Sequence, residues 1–311
     1  MAALSAAPGI GVGLAAASAF ALAAAAADED DAVARGAYLA RAGGCVACHT
    51  DVKGGGTPLA GGGKIETPFG TFFGPNLTPH PDHGLGRWSE ADFIDAMTRG
   101  RAPDGARYYP AFPYPSFSAI ARTDLADLWA YLRSLAPVAR ANAPHELMWP
   151  FRWRFLNRVW QWLFFRPQTF APDPSHDAHW NRGAYLSEAL LHCKECHSPR
   201  TWLGALRTSL AYAGNRDGPG DTTVPNITPD AEAGIGRWSE IDIAWLLKTG
   251  FKPDGNDVQG TMAELIEHGS SHLAEDDRKA IAAYIRSLEP IRYQVRKKAA
   301  GSEPRGGDFA Y

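Results

Sequence analysis

Apolar side chains recur every three or four residues in two separate stretches of the chain. That spacing places them along one face of an amphipathic helix, which has to be buried against other elements. The two stretches are closely similar to each other, and each comes late in one half of the chain. Their apolar positions are Leu128, Tyr131, Leu132 and Leu135 in the first stretch, and Ile281, Tyr284, Ile285 and Leu288 in the second.

The similarity belongs to an internal repeat that covers most of the chain. The string "RGAYL" at 35–39 returns at 182–186, and "PNLTPHPDHGLGRWSEADF" from Pro75 returns as "PNITPDAEAGIGRWSEIDI" from Pro225. Repetition of this kind indicates two duplicated domains, each of the usual size for an independent folding unit.

Both halves predict the same order of elements. A helix comes first, and a long loop rich in glycine and proline follows it. Next, a short helix begins at Ser89 or Ser239, each with an aspartate three residues later as in a capping box, and ends near Gly100 or Gly250. The amphipathic helix comes last.

Composition divides the chain into five segments. The first 27 residues carry no charged side chain and end in small residues, so they predict an export signal or a weak membrane anchor. A net charge of −3 without a basic domain disfavours nucleic-acid binding. The segments are 1–27, a first domain at 33–138, an aromatic and basic linker at 139–180, a second domain at 181–291 and a polar tail at 292–311.

All four cysteines lie in two matching clusters, Cys45, Cys48 and His49 in the first half and Cys193, Cys196 and His197 in the second. Two thiols one helical turn apart can add to the two vinyl groups of a porphyrin, and the adjacent histidine then ligates the iron. A redox dithiol or half of a zinc site would use the same cysteines, but two copies with no cysteine left over favour haem. The sequence therefore predicts two covalently bound haem c groups in an all-α fold of two tandem cytochrome c-like domains.

A haem that only carries electrons commonly has a methionine as its sixth ligand. Met262 follows the second "PDG" motif, in the loop before the terminal helix, where this fold presents its distal ligand. We predict that Met262 ligates the second haem; the alternative is a methionine that fills a gap in the core.

The first half has no methionine at the position that matches Met262, because Phe112 stands there. Phenylalanine cannot ligate iron, so the first haem cannot copy the second. A histidine from the preceding loop, another methionine or an open distal site are the three explanations. The candidates are His80, His83 and Met97, or a vacant site flanked by Phe112 with Tyr108 or Tyr109.

Three further pairs of residues recur at matched positions in the two halves. Arginine and the tryptophan N–H are donors that a buried haem propionate needs, so we predict that these residues contact haem. Ordinary packing within the loops is the alternative. The pairs are Asn76 with Asn226, Arg87 with Arg237, and Trp88 with Trp238.

Residues 147–170 of the linker, the aromatic segment, differ in composition from the rest of the chain. They contain four tryptophans, five phenylalanines and four arginines. Such a segment suits contact with an anionic membrane or with a dehydrogenase subunit. The alternative is that its rings pack into the crevice between the two domains.

Five strings in the chain carry a family likeness: "CVACHT", "GGGKIETPFGTFFGPNLTP", "GRWSEADFIDAM", "PDGARYYPAFPYPSF" and "RGAYLSEALLHCKECHSPR". Together they resemble the cytochrome c subunits of membrane-associated alcohol, gluconate and fructose dehydrogenases, over about residues 33–290. The resemblance implies transfer of electrons from a flavin, quinone or molybdenum dehydrogenase subunit toward the respiratory quinone pool. Members of that family typically carry a third haem domain and a C-terminal anchor. Two haem clusters and a polar tail here imply transfer between soluble or docked partners instead.

The sequence therefore predicts a periplasmic dihaem cytochrome, at the outer face of the inner membrane, that relays electrons from a partner dehydrogenase to a downstream respiratory acceptor. The alternative is an enzyme whose first haem has an open distal site and acts on a small substrate such as thiosulfate or peroxide. A haem-based sensor is a third possibility, but no signalling domain is attached.

Overall fold

A computed structural model of the chain describes Asp28 and residues 30–296. The predicted export segment at 1–27 lies outside these residues, as do positions 297–311 of the predicted polar tail. Within the described part of the chain, none of the helices combines the length and the apolar character that a membrane crossing requires.

Helices make up most of the ordered structure in the described residues. They are α1 (30–42), α2 (Cys45–His49), α3 (Glu90–Arg99), α4 (Tyr114–Phe117), α5 (Arg122–Ser134), α6 (Leu156–Phe164), α7 (Ala178–Tyr185), α8 (Cys193–His197), α9 (Glu240–Thr249), α10 (Thr261–His268) and α11 (Glu275–Ser287). A π-helical segment at Leu186–Leu190 extends α7 toward the second cysteine cluster. Short 3-10 turns lie at Thr208–Leu210, Pro219–Asp221 and Ser270–His272.

The all-α prediction is wrong, because the structure contains a three-stranded antiparallel sheet. Two of its strands lie in the stretch that the sequence predicts to be a loop. Its strands are β1 (Lys64–Thr67), β2 (Gly70–Phe73) and β3 (Glu146–Leu147), with β2 in the middle. β1 and β2 form a hairpin whose two-residue turn is Pro68 and Phe69. β3 comes from the linker, and a Cβ on Gly70 would lie 2.3 Å from the Glu146 carbonyl oxygen. Only a residue without a side chain allows that approach. The sheet therefore depends on Gly70, and on the pairing of two parts of the chain that are far apart in sequence.

The predicted capping boxes are confirmed in both halves. The Ser89 hydroxyl accepts the backbone N–H of Asp92 at 3.2 Å, and the Asp92 carboxylate accepts the backbone N–H of Ser89 at 2.9 Å. Ser239 and Asp242 make the same pair of bonds at 3.2 and 2.8 Å. Each helix ends at the predicted glycine, in the left-handed conformation, with φ of 57° and 79°. Because both ends are specified locally, α3 and α9 could be read from the sequence.

The predicted apolar faces of the two terminal helices are confirmed as well. Leu128 and Leu132 of α5 are buried, as are Ile281 and Ile285 of α11. In each half, the first helix crosses the terminal helix at the glycine of the "RGAYL" string. A Cβ on Gly183 would lie 1.9 Å from a carbonyl oxygen of α11, so the two backbones touch there.

Two tyrosines join the halves through matching contacts in opposite directions. The Tyr38 hydroxyl donates to the Asp277 carboxylate at 2.5 Å and accepts a backbone N–H at the start of α11 at 3.0 Å. The Tyr185 hydroxyl donates to the Asp124 carboxylate at 2.6 Å and accepts a backbone N–H at the start of α5 at 3.1 Å. Each half therefore holds the terminal helix of the other half.

Replacing Tyr38 by phenylalanine should lower the free energy of unfolding of the haem-loaded protein by about 1–2 kcal/mol, because a hydrogen bond to a carboxylate is lost. Burial alone would raise the pKa of the Asp277 carboxyl, but hydrogen bonds from Arg182 and Tyr38 outweigh burial and hold this pKa below its ordinary value. A lowered pKa in the folded state stabilises the protein above the unfolded pKa of about 4, and this stabilisation is lost as the pH falls through the folded pKa.

Urea denaturation at pH 7 and at about pH 3 measures both effects. The difference between wild type and Tyr38→Phe should shrink at the acid pH, because Asp277 is then partly protonated. Tyr131→Phe is the matched control, since the Tyr131 hydroxyl has no hydrogen bond to the described residues, and it should change stability by less than about 0.5 kcal/mol. Equal losses in the two variants would contradict the importance of the Tyr38–Asp277 bond.

Candidate functional site

Each cysteine cluster forms a single turn of helix, α2 in the first half and α8 in the second. The residue before each turn has a left-handed backbone, with φ of 64° at Gly44 and 43° at His192. No disulfide joins any of the four cysteines. One helical turn between the two thiols of a cluster is the spacing that covalent attachment to a porphyrin needs.

The two cluster histidines make the same hydrogen bond. His49 Nδ1 donates to the Pro75 carbonyl oxygen at 2.8 Å, and His197 Nδ1 donates to the Pro225 carbonyl oxygen at 2.9 Å. A carbonyl oxygen can only accept, so the proton is on Nδ1 and the lone pair is on Nε2. Burial lowers the pKa of both rings, which keeps them neutral. This is the arrangement that metal-ligating histidines use, so the residues present fit an iron ligand.

Burial governs the pKa of all four thiols. It raises the pKa of Cys45 and Cys196 to about 11 and that of Cys48 and Cys193 to about 12. Free thiols in these surroundings are therefore protonated at neutral pH. The spacing of the cysteines and the adjacent histidine remain the observations that support covalent attachment of haem.

The fold brings the two clusters together at the contact between the halves. Cys48 lies near enough to Cys196 for the second thiol to contribute, after burial, to the raised pKa of Cys48. Inside the second cluster, the Glu195 carboxylate accepts the Ser116 hydroxyl of the first half at 2.8 Å. Glu195 also pairs with Arg200 at 2.7 Å, so its buried charge is compensated. The sequence repeat did not reveal this closeness, because nothing local encodes it.

His192 is a residue of the site that the sequence reading missed. Its ring is buried next to Cys193 and meets the Phe117 ring of the first half edge to face, with centroids 5.3 Å apart. It lies close to the Gly43 backbone, but Nδ1 makes no hydrogen bond of normal geometry within the described residues. Buried polar atoms are rarely left so, and a bound group beside the cluster would explain this one. Its position directly before Cys193, where the first half has Gly44, was the available signal.

The two predicted distal positions have different surroundings. Met262 lies in the first turn of α10, half-buried and packed against the core. Phe112 belongs to an aromatic cluster with ring centroids at 5.6 Å to Tyr108, 5.7 Å to Phe117 and 6.3 Å to Tyr114. Iron ligation by Met262 stays a prediction, and the two halves clearly differ at this point.

His80 of the first half closes its own loop through hydrogen bonds, and His83 packs against it. His80 Nδ1 accepts the backbone N–H groups of Asp82 and His83, each at 3.2 Å. In the second half, the Asp230 carboxylate accepts the two equivalent N–H groups at 3.0 and 2.6 Å. His80 therefore replaces Asp230 in closing the loop, and its Nε2 carries the proton in the neutral ring. The His83 ring stacks on His80 with centroids 5.0 Å apart.

Met97, the other candidate ligand in the first half, is 7% exposed in α3. It lies in the apolar core with Phe93 and Ile94 of the same helix. These surroundings are those of a core methionine.

The recurrent asparagines tie two chain segments together. The Asn76 amide nitrogen donates to the carbonyl oxygens of Val138 at 2.8 Å and Arg140 at 3.1 Å, just after α5. The Asn226 amide nitrogen donates in the same way to Ile291 at 2.8 Å, just after α11. Contact of these asparagines with haem stays a prediction.

The recurrent arginines and tryptophans lie on the loop before α3 and α9. Arg87 and Arg237 are exposed, and Arg87 pairs with Asp82 at 2.5 Å. Trp88 and Trp238 are half-buried against the core. The two loops have identical burial patterns, so any contact with haem that these residues make should occur in both halves.

Comparison with known proteins agrees with this site. The sequence profile described as cytochrome c matches residues 33–136. A diheme cytochrome c-type protein of Cereibacter sphaeroides is 41% identical over 83% of this chain and 86% of its own length. The alcohol dehydrogenase (quinone) cytochrome c subunit of Gluconacetobacter polyoxogenes is 39% identical over 83% of the chain, and the gluconate 2-dehydrogenase cytochrome c subunit of Pantoea cypripedii is 40% identical over 83%.

The chain spans 56% of the length of the alcohol dehydrogenase subunit and 60% of the gluconate dehydrogenase subunit. The resemblance stated from the sequence motifs is confirmed, and haem c bound covalently is the cofactor that it implies. The chain therefore belongs to the family of c-type cytochromes that contains the diheme protein of C. sphaeroides and the cytochrome c subunits of these two dehydrogenases.

Proposed function

We propose that the chain is a periplasmic dihaem cytochrome that relays electrons one at a time. One haem would be attached at Cys45 and Cys48, and the other at Cys193 and Cys196. The observation that carries this proposal is the matching Nδ1–carbonyl bond of His49 and His197, in two clusters that meet at the contact between the halves. A protein with a single haem would need neither a second cysteine cluster nor the closeness of the two clusters.

The chain's own residues would set how easily each site accepts an electron. When bound, haem supplies an iron that changes between the ferric and ferrous states. The Pro75 and Pro225 carbonyls keep the histidine rings oriented with Nε2 available. Methionine ligation raises a reduction potential, so Met262 would make the second site the better acceptor if the first lacks a methionine. Two unequal sites give the relay a direction.

The partners follow from the relatives. Two of them are named as cytochrome c subunits of an alcohol and a gluconate dehydrogenase. We therefore assign a dehydrogenase subunit as the electron donor of this chain and a downstream respiratory component as its acceptor. Covalent haem attachment to an exported protein supports the periplasm, at the outer face of the inner membrane. None of the relatives described above is named for an enzyme of thiosulfate or peroxide, so that alternative has no support.

Reduction by the donor tests the proposal. The haem-loaded full-length chain, oxidised, is mixed with a dehydrogenase of the alcohol or gluconate class, for which the relatives are named, and the substrate of that dehydrogenase is added. We expect the absorption bands of both haems to change to those of the reduced form, and no change without the dehydrogenase. Full reduction by dithionite with none by the dehydrogenase and its substrate would contradict this donor.

A further inference from the structure

Helix α6, in the aromatic segment, turns its polar side toward the rest of the protein and its apolar side outward, the reverse of an ordinary surface helix. Its inward face is polar, since Asn157 and Gln161 are 5% and 8% exposed. The Asn157 amide donates to the Arg107 carbonyl oxygen and the Gln161 amide donates to the Gly100 carbonyl oxygen, each at 3.2 Å. These bonds compensate the buried amides and hold the helix with its apolar side outward.

The outward side of the aromatic segment exposes many large apolar side chains. Trp162 is 74% exposed, Trp149 65% and Phe155 62%. The rings of Trp149, Trp153 and Phe155 form a row with centroid separations of 5.8 and 6.0 Å. The other exposed apolar side chains of the segment are Met148, Val159, Leu163 and Phe164. Part of the segment does pack between the halves, because the Phe165 ring contacts Tyr114 and the Phe170 ring contacts Tyr185. The side chains named above face outward instead, and an exposed apolar surface of this kind marks a place of contact.

Positive charge surrounds this apolar surface. Arg152, Arg154, Arg158 and Arg166 are all exposed, and residues 147–170 contain no aspartate or glutamate. None of these arginines forms an ion pair with another residue of the described chain. The Arg166 guanidinium donates to carbonyl oxygens at the end of α6, at 2.8 and 3.0 Å. The complementary surface is therefore negatively charged over a broad area.

We propose that the aromatic segment lies on an anionic lipid bilayer, in the plane of the interface. Tryptophan and phenylalanine side chains would enter the headgroup and acyl boundary, and the arginines would meet the lipid phosphates. Arg154 lies over the Tyr109 ring at 5.8 Å, so its charge stays free of acidic partners in the described part of the chain. An exposed apolar side combined with exposed arginines that form no ion pair within the described residues is typical of such monotopic contacts. The inference goes beyond electron relay, because it assigns a membrane-binding surface.

Vesicle binding of the haem-loaded full-length protein tests this inference. We expect co-sedimentation with vesicles of phosphatidylglycerol mixed with phosphatidylcholine, and binding at least about tenfold weaker to pure phosphatidylcholine. Raising the salt concentration should weaken binding to the anionic vesicles. Failure to bind anionic vesicles at low salt would overturn the proposal and leave an acidic protein surface as the occupant.

Matched variants separate this surface from the rest of the molecule. Trp149→Ser with Trp162→Ser, and separately Arg152→Glu with Arg158→Glu, should each weaken binding to anionic vesicles by about tenfold or more. Trp245, 59% exposed in α9, and the exposed Arg122 provide the controls Trp245→Ser and Arg122→Glu, which should bind like wild type. Haem content and reduction by dithionite confirm that each variant is folded. Equal losses in the control variants, or none in the segment variants, would also overturn the proposal.

Discussion

Replacing Cys45 and Cys48 together by alanine should leave the chain with one covalently bound haem instead of two. The two thiols of a cluster form both bonds to the porphyrin, so without them the histidine alone cannot retain the haem through denaturation. Replacing Cys193 and Cys196 should remove the other haem and keep the first. The mass of the denatured protein, together with the haem content per chain, measures both results.

If a double variant does not fold, the single variants still test the prediction. Cys45→Ala should keep one of the two bonds to the first haem, and Cys193→Ala one of the two bonds to the second, so the mass of each variant should still show two haems. A double variant that keeps two haems would refute the attachment residues, and a wild-type protein with one haem would refute the count. Neither result depends on the identity of the electron donor, so attachment and relay are tested separately.

Replacing Met262 by alanine should abolish the charge-transfer band between methionine sulfur and ferric iron. The same change should lower the reduction potential of the second haem by on the order of a tenth of a volt, within the range of about 0.8 V that axial ligands span. Met262 is half-buried, so the loss of its side chain also costs some packing, but a packing role alone would leave the band intact. Absorption spectroscopy and a redox titration measure the two effects.

Phe112→Ala is the matched control, because Phe112 occupies the equivalent position in the first half. It should keep the charge-transfer band. Met97→Leu should keep the band too, since Met97 of α3 is buried in the apolar core. Survival of the band in Met262→Ala would refute this ligand, and its loss in Met97→Leu would assign Met97 to the first haem.

The two halves differ mainly near the predicted distal positions and where the two cysteine clusters meet. His80 accepts the loop N–H groups that Asp230 accepts in the second half, so this histidine has a role in loop closure. Ligation of haem by His80 or His83 stays a prediction. His192 replaces Gly44 of the first half and contacts Phe117 across the contact between the halves. The repeat therefore preserves the two cysteine clusters and varies the side chains between and beyond them.

Local signals explain which parts of the fold were predictable. The capping boxes at Ser89 and Ser239 involve residues three positions apart, so they can be recognised without knowledge of the fold. The apolar faces of α5 and α11 follow from a spacing within one helix. The sheet was missed because β1 and β2 are only four residues each, and β3 pairs with β2 across the three helices α3, α4 and α5. The two residues of β3 carry no strand signal of their own.

By itself, the sequence indicated haem c as the cofactor, the duplication and the helices with local start and stop signals. Cysteine spacing, helix caps and apolar periodicity act over a few residues, so they are present in the unfolded chain as well. The tertiary structure alone decided the tyrosine contacts between the halves, the closeness of Cys48 and Cys196, and the outward apolar face of α6. These depend on packing between residues far apart in the chain, where the favourable burial of many groups outweighs the preference of any one segment.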